Sequence, residues 1–143
     1  MNAFYIAGHP RATIITFCLV MISGEAFGGP YLIYLLLALP HGGLYSLVGV
    51  GGILCLYIGH KIQGTKKHWV KPVLQLSGIL LTILSLFIFF ALDRRHYNYG
   101  TFEQTVPLVT LFLFGLSALC GIILAMQHLS GRKREQPHSQ LRP

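Results

Sequence analysis

Long apolar runs without charged residues, separated by short charged segments, dominate the chain. Two of them, 73–92 and 106–129, contain 20 and 24 consecutive residues without an Asp, Glu, Lys or Arg. A helix rises about 1.5 Å per residue and needs roughly 20 apolar residues to cross about 30 Å of hydrocarbon. Each run therefore predicts one membrane-spanning helix.

A longer apolar stretch of 49 residues, 12–60, occupies the first half of the chain. As one helix it would reach about 74 Å, whereas two crossings require about 60 Å. We predict two crossing helices, over about 12–28 and 43–60. Glycine and proline residues isolate the piece between them, 31–39. That piece is predicted to be an interfacial or re-entrant half-helix, or a kinked extension of a neighbouring helix.

The predicted fold class is an all-α integral membrane protein. Four transmembrane helices form a helical bundle over residues 1–131, with a broken or re-entrant region between the first two helices. The remaining residues, 132–143, form a short, basic and polar tail. We expect this tail to be disordered and cytoplasmic, because it has too few apolar residues to form a packed core.

The distribution of basic residues predicts the orientation of the bundle. Lysine and arginine collect in cytoplasmic loops. With four crossings, nine of the 11 lysine and arginine residues face one side of the membrane, and only Arg94 and Arg95 face the other. This pattern predicts that both termini are cytoplasmic and that the protein lies in a cell membrane, specifically a bacterial inner membrane.

The composition supports a membrane protein and excludes an ordinary water-soluble one. Hydrophobic residues make up 53% of the chain, charged residues make up 10%, and the mean hydropathy is +0.61. Soluble domains carry about 25% charged residues. The net charge of +7 arises from residues that membrane orientation requires, so no nucleic acid partner is expected. The expected partners are the lipid bilayer and other membrane subunits or a second copy of the chain.

Small residues recur at steps of three or four in the predicted helices. Lipid tails remove the usual hydrophobic drive between helices, so transmembrane helices associate where small residues let their backbones approach closely. We interpret these residues as packing faces, within one bundle or between protomers, rather than as the lining of a substrate path. The candidate packing residues are Gly42, Ser46, Gly49, Gly52, Gly78, Gly115 and Gly121.

Glu25 and His41 are the candidate proton- or cation-binding residues. Glu25 is the only carboxylate within an apolar run, and His41 lies between a proline and two glycines. Burying an ionised carboxylate in the membrane costs about 2.5 kcal/mol or more, which protonation or a partner must offset. Glu25 is therefore either a membrane-buried group with a raised pKa or a residue of the outer interface. His41 either lines an outer vestibule or is hydrogen-bonded at a helix end.

No catalytic motif and no metal-binding spacing is recognisable in the sequence. His60 and His128 form the best pair for binding haem, but both end predicted helices on the cytoplasmic side, where a polar rim is the alternative. We therefore expect no cofactor and no metal. The protein is predicted to be a non-catalytic subunit or assembly partner of a membrane complex, or a homo-oligomer, and not an enzyme. The alternative is a small proton- or cation-coupled transporter or channel that uses Glu25.

One segment resembles a known family. The run from Leu39 to Leu47, followed by Gly49 and Gly51, is similar to the entry to the third helix of small multidrug transporters. Those proteins are also four-helix chains with a glutamate in the first crossing. Pro40 follows Glu25 by only 15 positions, so the second helix of that family has no counterpart here. We assign the chain to no family on this resemblance.

Overall fold

The computed structural model describes residues 3–24, 28–62, 69–93 and 97–131. Single turns of 3-10 helix, Leu39–His41 and Tyr99–Phe102, precede the fourth and sixth helices of this part of the chain. The elements in chain order are α1 (Ala3–Ala7), α2 (Pro10–Cys18), β1 (Met21–Ser23), β2 (Gly28–Pro30), α3 (Tyr31–Ala38), α4 (Leu44–Lys61), α5 (Val70–Leu92) and α6 (Thr105–Gly131).

Three helices, α4, α5 and α6, are long and apolar enough to span a membrane. They correspond to the predicted helices over 43–60, 73–92 and 106–129. Large apolar side chains project outward from them, with Phe87 69% exposed and Phe112 70% exposed. Such a surface is typical of a chain surrounded by lipid. The expectation of a helical membrane protein is confirmed.

The structure differs from the single continuous helix expected over 12–28. Helix α2 ends at Cys18, and β1 and β2 then pair as an antiparallel hairpin. Glycines at both ends of this region lower its helix propensity, and Pro30 has no amide hydrogen to continue a helix. The paired residues are Met21 with Pro30, Ile22 with Gly29 and Ser23 with Gly28.

The predicted half-helix 31–39 is present as α3 and the 3-10 turn that follows it. It is separate from α4, because Gly42 has a φ of 68° and reverses the chain. This left-handed conformation is open to glycine at little cost. Gly42 is exposed, and a methyl group added to it would meet no atom within 4 Å. Gly42 is therefore a turn residue and not the helix-packing residue that its spacing predicted.

Helices α4 and α5 pack closely along an antiparallel interface of small residues. A methyl group added to Gly52 would lie 2.9 Å from the Thr82 amide nitrogen. The corresponding methyl group on Gly49 would lie 2.6 Å from the Ser85 hydroxyl oxygen. The hydroxyl of Ser46 donates a hydrogen bond of 2.5 Å to the Leu35 carbonyl oxygen and so fixes α3 to α4. Between α4 and α5, close backbone contact takes the place of interdigitated large side chains.

The segment formed by α2 and β1 runs antiparallel along α6. The hydroxyls of Thr13 and Ser117 share a hydrogen bond of 3.1 Å. Further along, the Met21 amide donates to the Thr110 hydroxyl at 2.9 Å, and the Ser23 amide donates to the Thr101 hydroxyl, also at 2.9 Å. Side chains of α6 and of the turn before it thus satisfy backbone groups that a continuous helix would satisfy itself.

Tyr31 is the centre of the core at the end of the bundle where α3 lies. Its side chain is fully buried. The rings of Phe17 and Phe89 stand edge-on to it, with centroids 5.4 and 5.3 Å away. Its hydroxyl lies 2.9 Å from the Ser85 hydroxyl, which donates to the Tyr45 carbonyl oxygen at 2.7 Å. This aromatic cluster joins α2, α3, α4 and α5.

Candidate functional site

The two predicted ion-binding residues do not form a described site. Glu25 lies outside the described residues. His41 is exposed, and its Nδ1 lies 3.0 Å from the Leu37 carbonyl oxygen. This contact corresponds to the helix-end alternative for His41. Within the described ranges, no group of three or more His, Cys, Asp and Glu side chains is arranged to hold a metal ion.

The remaining candidate glycines lie in different surroundings. Gly78 faces Gly52 across the interface between α4 and α5. Gly121 packs toward α5, where an added methyl group would lie 2.8 Å from the Ile79 side chain. Gly115 is exposed, and a methyl group added to it would meet no atom within 4 Å. Gly115 is therefore not part of the packing between the described helices.

A cavity of about 870 Å³ opens where α2 and α5 begin and where α4 and α6 end. We call it the end cavity. Its volume falls within the range of roughly 300–1,000 Å³ that is typical of small-molecule sites. Its lining includes the apolar side chains of Ile6, Ile15, Trp69, Leu124 and Leu129. It also includes basic and imidazole side chains from four helices and from the turn before α2, namely His9, Arg11, His60, Lys71 and His128.

A break between α1 and α2 shapes the floor of the end cavity. Helix α1 ends at Ala7, and Gly8 then approaches α6 so closely that an added methyl group would lie 2.8 Å from the Cys120 carbonyl carbon. The buried Gln75 side chain donates from Nε2 to the Gly8 carbonyl oxygen at 3.2 Å and to the Gly121 carbonyl oxygen at 3.3 Å. Gln75 therefore joins α5 to the break and to α6.

The side chains, rather than the helix dipoles, give the end cavity its positive charge. Two helix N-termini and two C-termini meet there, so their partial charges largely offset one another. Among the described residues, the only carboxylates are Asp93 and Glu103. Asp93 comes directly after the last residue of α5 and lies about 30 Å from Lys71, which is roughly the length of that helix. Arg11 and Lys71 consequently face the cavity with no described carboxylate near them.

His9 and His60 form a close pair beside these cations. Their ring centroids are 4.9 Å apart, with the rings inclined at 68°. The Nδ1 atom of His9 accepts a hydrogen bond of 3.2 Å from the Arg11 amide, which caps α2. Neutral His9 therefore carries its proton on Nε2. Partial burial of the ring, followed by the charges of Arg11 and Lys71, lowers the pKa of His9.

Only part of this site was predicted from the sequence. His60 and His128 were expected at helix ends on one side of the membrane, and the structure brings both to the end cavity. Gly8, Gln75 and the apolar lining residues were not predicted. A buried glutamine within an otherwise apolar run was the available signal, because such a group needs hydrogen-bond partners.

Comparisons with known proteins identify no relative. No protein-family model, no curated protein and no solved structure matches this chain. Its function is therefore inferred from the end cavity and from the helices that position it.

Proposed function

We propose that this protein is a non-catalytic membrane protein that binds an amphipathic molecule in the end cavity. The observation that carries the proposal is that apolar and basic side chains line the same cavity. The apolar side chains suit a hydrocarbon chain, and the basic side chains suit a polar headgroup. Ile15, 56% exposed, and Ile6, 51% exposed, lie where the cavity meets the surface of the bundle.

We further propose four crossings of a bacterial inner membrane, with both termini in the cytoplasm. The first crossing then consists of α2 and the extended chain through β1, residues 10–23. The helical backbone from Pro10 through the C-cap Leu19 supplies about 15 Å, and the three residues of β1 supply about 10 Å, so together they cover most of the 30 Å of hydrocarbon. Hydrogen bonds from the Met21 and Ser23 amides to the Thr110 and Thr101 hydroxyls support this crossing, since irregular backbone in a membrane must be satisfied by protein.

Thiol labelling from outside intact cells tests the crossings. The three native cysteines, Cys18, Cys55 and Cys120, are first replaced by alanine. A membrane-impermeant maleimide is then expected to label Asn98→Cys in intact cells and Lys66→Cys only after lysis. Labelling of the Lys66 position in intact cells would contradict the proposed orientation.

Purification in mild detergent followed by native mass spectrometry tests ligand binding. We expect a bound amphipathic molecule that survives purification with the parent protein. Ala12→Trp places a large side chain in the cavity wall and is expected to lose that molecule. Ala91→Trp is the matched control, because Ala91 is exposed near the opposite end of α5. Loss of the ligand from both variants, or no ligand in the parent, would count against a binding role for the cavity.

A role as a subunit, an assembly partner or a homo-oligomer is a second candidate function. It is favoured by Gly115, which lies exposed on α6 between the outward-facing side chains of Phe112 and Leu119. An exposed glycine allows another transmembrane helix to approach closely. Gly115→Leu is expected to dissociate the assembly on a native gel, whereas Gly51→Leu, at an equally open position of α4, keeps it. A parent protein that purifies alone as a monomer would remove this candidate.

Proton- or cation-coupled transport through Glu25 stays a prediction. Its test is flux in liposomes driven by a pH gradient. Glu25→Gln is expected to abolish this flux and to leave the circular dichroism spectrum unchanged. Flux that persists in the variant, or a parent protein without flux, would exclude the transport role.

A further inference from the structure

We propose that the polar end of the bound molecule is the phosphate of an anionic phospholipid, held between Arg11 and Lys71. This inference rests on the proposed binding of an amphipathic molecule in the end cavity. The His9 and His60 pair lines the same cavity as the two cations.

Both cations lie at the starts of helices, where a positive charge is unfavourable. Arg11 is the second residue of α2, and Lys71 is the second residue of α5. A positive charge in the first turn of a helix is unfavourable, because the N-terminus already carries a partial positive charge. Both side chains nevertheless line one cavity, and the described carboxylates, Asp93 and Glu103, lie at the other end of the bundle. An anion between them would relieve both charges.

The chemistry of the residues favours phosphate over a simple carboxylate. A guanidinium group offers parallel donors that match two phosphate oxygens, and an ammonium group contributes a point charge to a third. The donors come from α2 and α5 and so approach the headgroup from different helices. The neutral His9 ring has Nε2–H available as a further donor, since its Nδ1 is occupied by the Arg11 amide.

The apolar wall argues for a lipid rather than for free phosphate. Ile15, Leu124 and Leu129 line the same cavity as the two cations. A free phosphate would leave this surface exposed to water, whereas acyl chains would cover it at a gain of about 25 cal/mol for each Å² of apolar surface removed from water. The helix ends also lie at the depth where phospholipid headgroups meet hydrocarbon if α4, α5 and α6 span the membrane.

Trp69 provides a direct probe, because it is the only tryptophan of the chain and lines the end cavity. Bromine atoms on an acyl chain quench tryptophan fluorescence at close range. The full chain in mild detergent at pH 7.5 is titrated with brominated phosphatidylglycerol or with brominated phosphatidylcholine. We expect saturable quenching at a concentration at least about tenfold lower for phosphatidylglycerol. Both lipids carry a phosphate, but the positive choline group of phosphatidylcholine offsets that charge and is repelled by Arg11 and Lys71.

Substitutions of the two cations are expected to weaken this quenching selectively. Arg11→Gln and Lys71→Gln should each raise the half-saturating concentration of phosphatidylglycerol about tenfold. They should change that of phosphatidylcholine less, because loss of the cation also relieves the repulsion of the choline group. Lys71→Arg should retain the preference and verify that the altered proteins fold. Lys61→Gln is the matched control, because Lys61 ends α4 near the Tyr57 ring and does not line the cavity.

The alternative results each overturn a defined part of the proposal. Equal affinities for the two lipids, with no effect of Arg11→Gln, would refute an anionic headgroup while leaving amphiphile binding intact. Equal binding of brominated oleic acid would refute the preference for phosphate. Full displacement of phosphatidylglycerol by millimolar inorganic phosphate would show that free phosphate, and not lipid, is the ligand. Without saturable quenching by any amphiphile, the proposed function itself would fail.

Discussion

The backbones of Gly52 and Gly78 are in direct contact across the interface between α4 and α5. A methyl group added to Gly52 would lie 3.0 Å from the Gly78 carbonyl oxygen, and one added to Gly78 would lie 2.9 Å from the Gly52 carbonyl oxygen. Contacts this short leave no room for a side chain at either position. The separation of the two helices is therefore set by the absence of side chains.

Alanine at position 52 is expected to destabilise the protein. Gly52→Ala should cost about 1–3 kcal/mol, the usual cost of overpacking a well-packed interface. Gly51→Ala is the matched control, since an added methyl group at Gly51 meets no atom within 4 Å. Thermal unfolding in detergent, followed by circular dichroism, measures both changes. Equal melting temperatures for the two variants would show that α4 and α5 do not approach as closely as described.

Leucine at position 75 should loosen the end of the bundle around Gly8. The Gln75 amide donates two hydrogen bonds to the carbonyl oxygens of Gly8 and Gly121. Gln75→Leu leaves these buried acceptors without their donor, at an expected cost of about 1–3 kcal/mol in unfolding free energy. Gln127→Leu serves as the control, because Gln127 is exposed on α6.

The measurement for this prediction is hydrogen exchange with mass spectrometry. Backbone amides of α1 and α2 should exchange faster in Gln75→Leu than in the parent, because α5 no longer holds the break between them. Exchange in α4 should change less. A uniform increase in the exchange rate over the whole chain would indicate general destabilisation and not the loss of local contacts made by Gln75.

The contact between β1 and α6 predicts a specific role for Thr110. Its hydroxyl accepts the hydrogen bond from the Met21 amide, so Thr110→Val should cost about 1–3 kcal/mol by leaving that donor unpaired. Thr105→Val has the same change in shape at an exposed position and should cost much less. Reversible unfolding in mixed micelles compares the two. No difference between them would argue against the proposed first crossing.

Stability should depend on pH through His9. The pKa of His9 is lowered in the folded protein, so the unfolded chain takes up a proton near pH 6.5 and the folded chain does so only at a lower pH. Between these values the unfolded state binds more protons, and stability rises with pH. The melting temperature of lipid-free protein should therefore fall as the pH drops below about 6.5, the ordinary pKa of histidine.

A substitution that keeps the helix cap isolates the contribution of His9. Asparagine at the N-cap also accepts a hydrogen bond from a backbone amide of the first turn, but it does not titrate. His9→Asn should therefore reduce the slope of melting temperature against pH between 5 and 7. Arg11→Gln should also reduce this slope, because it removes a charge that lowers the pKa of His9 and so brings that pKa closer to its value in the unfolded chain. An unchanged slope in His9→Asn would assign the effect to other groups.

The helices were predictable because each depends on a local property. An uninterrupted apolar run of sufficient length specifies α5 and α6, and the spacing of Gly49 and Gly52 identifies the face of α4 that packs. The strand Met21–Ser23 was not predictable in this way. Its residues are as apolar as those of a helix, and hydroxyls some 80 to 90 positions later in the chain bind its amides.

The end cavity was only partly predictable, for a similar reason. His9 and His60 are 51 positions apart in the sequence, and no local pattern states that their rings meet. The charge pattern of the chain placed most basic residues on one side of a membrane. It did not indicate that Arg11 and Lys71 share a cavity, because that depends on the break at Gly8 and on the packing of α2 against α6.

The dependence of β1 on α6 has a consequence for synthesis of the protein. The ribosome makes residues 10–23 first, whereas Thr101, Thr110 and Ser117 emerge only after α4 and α5 are complete. Until then the Met21 and Ser23 amides have no hydroxyl acceptors, and hydrocarbon offers them none. If residues 10–23 form the proposed first crossing, this segment must therefore stay in a sheltered or aqueous place during translation and reach its final position last.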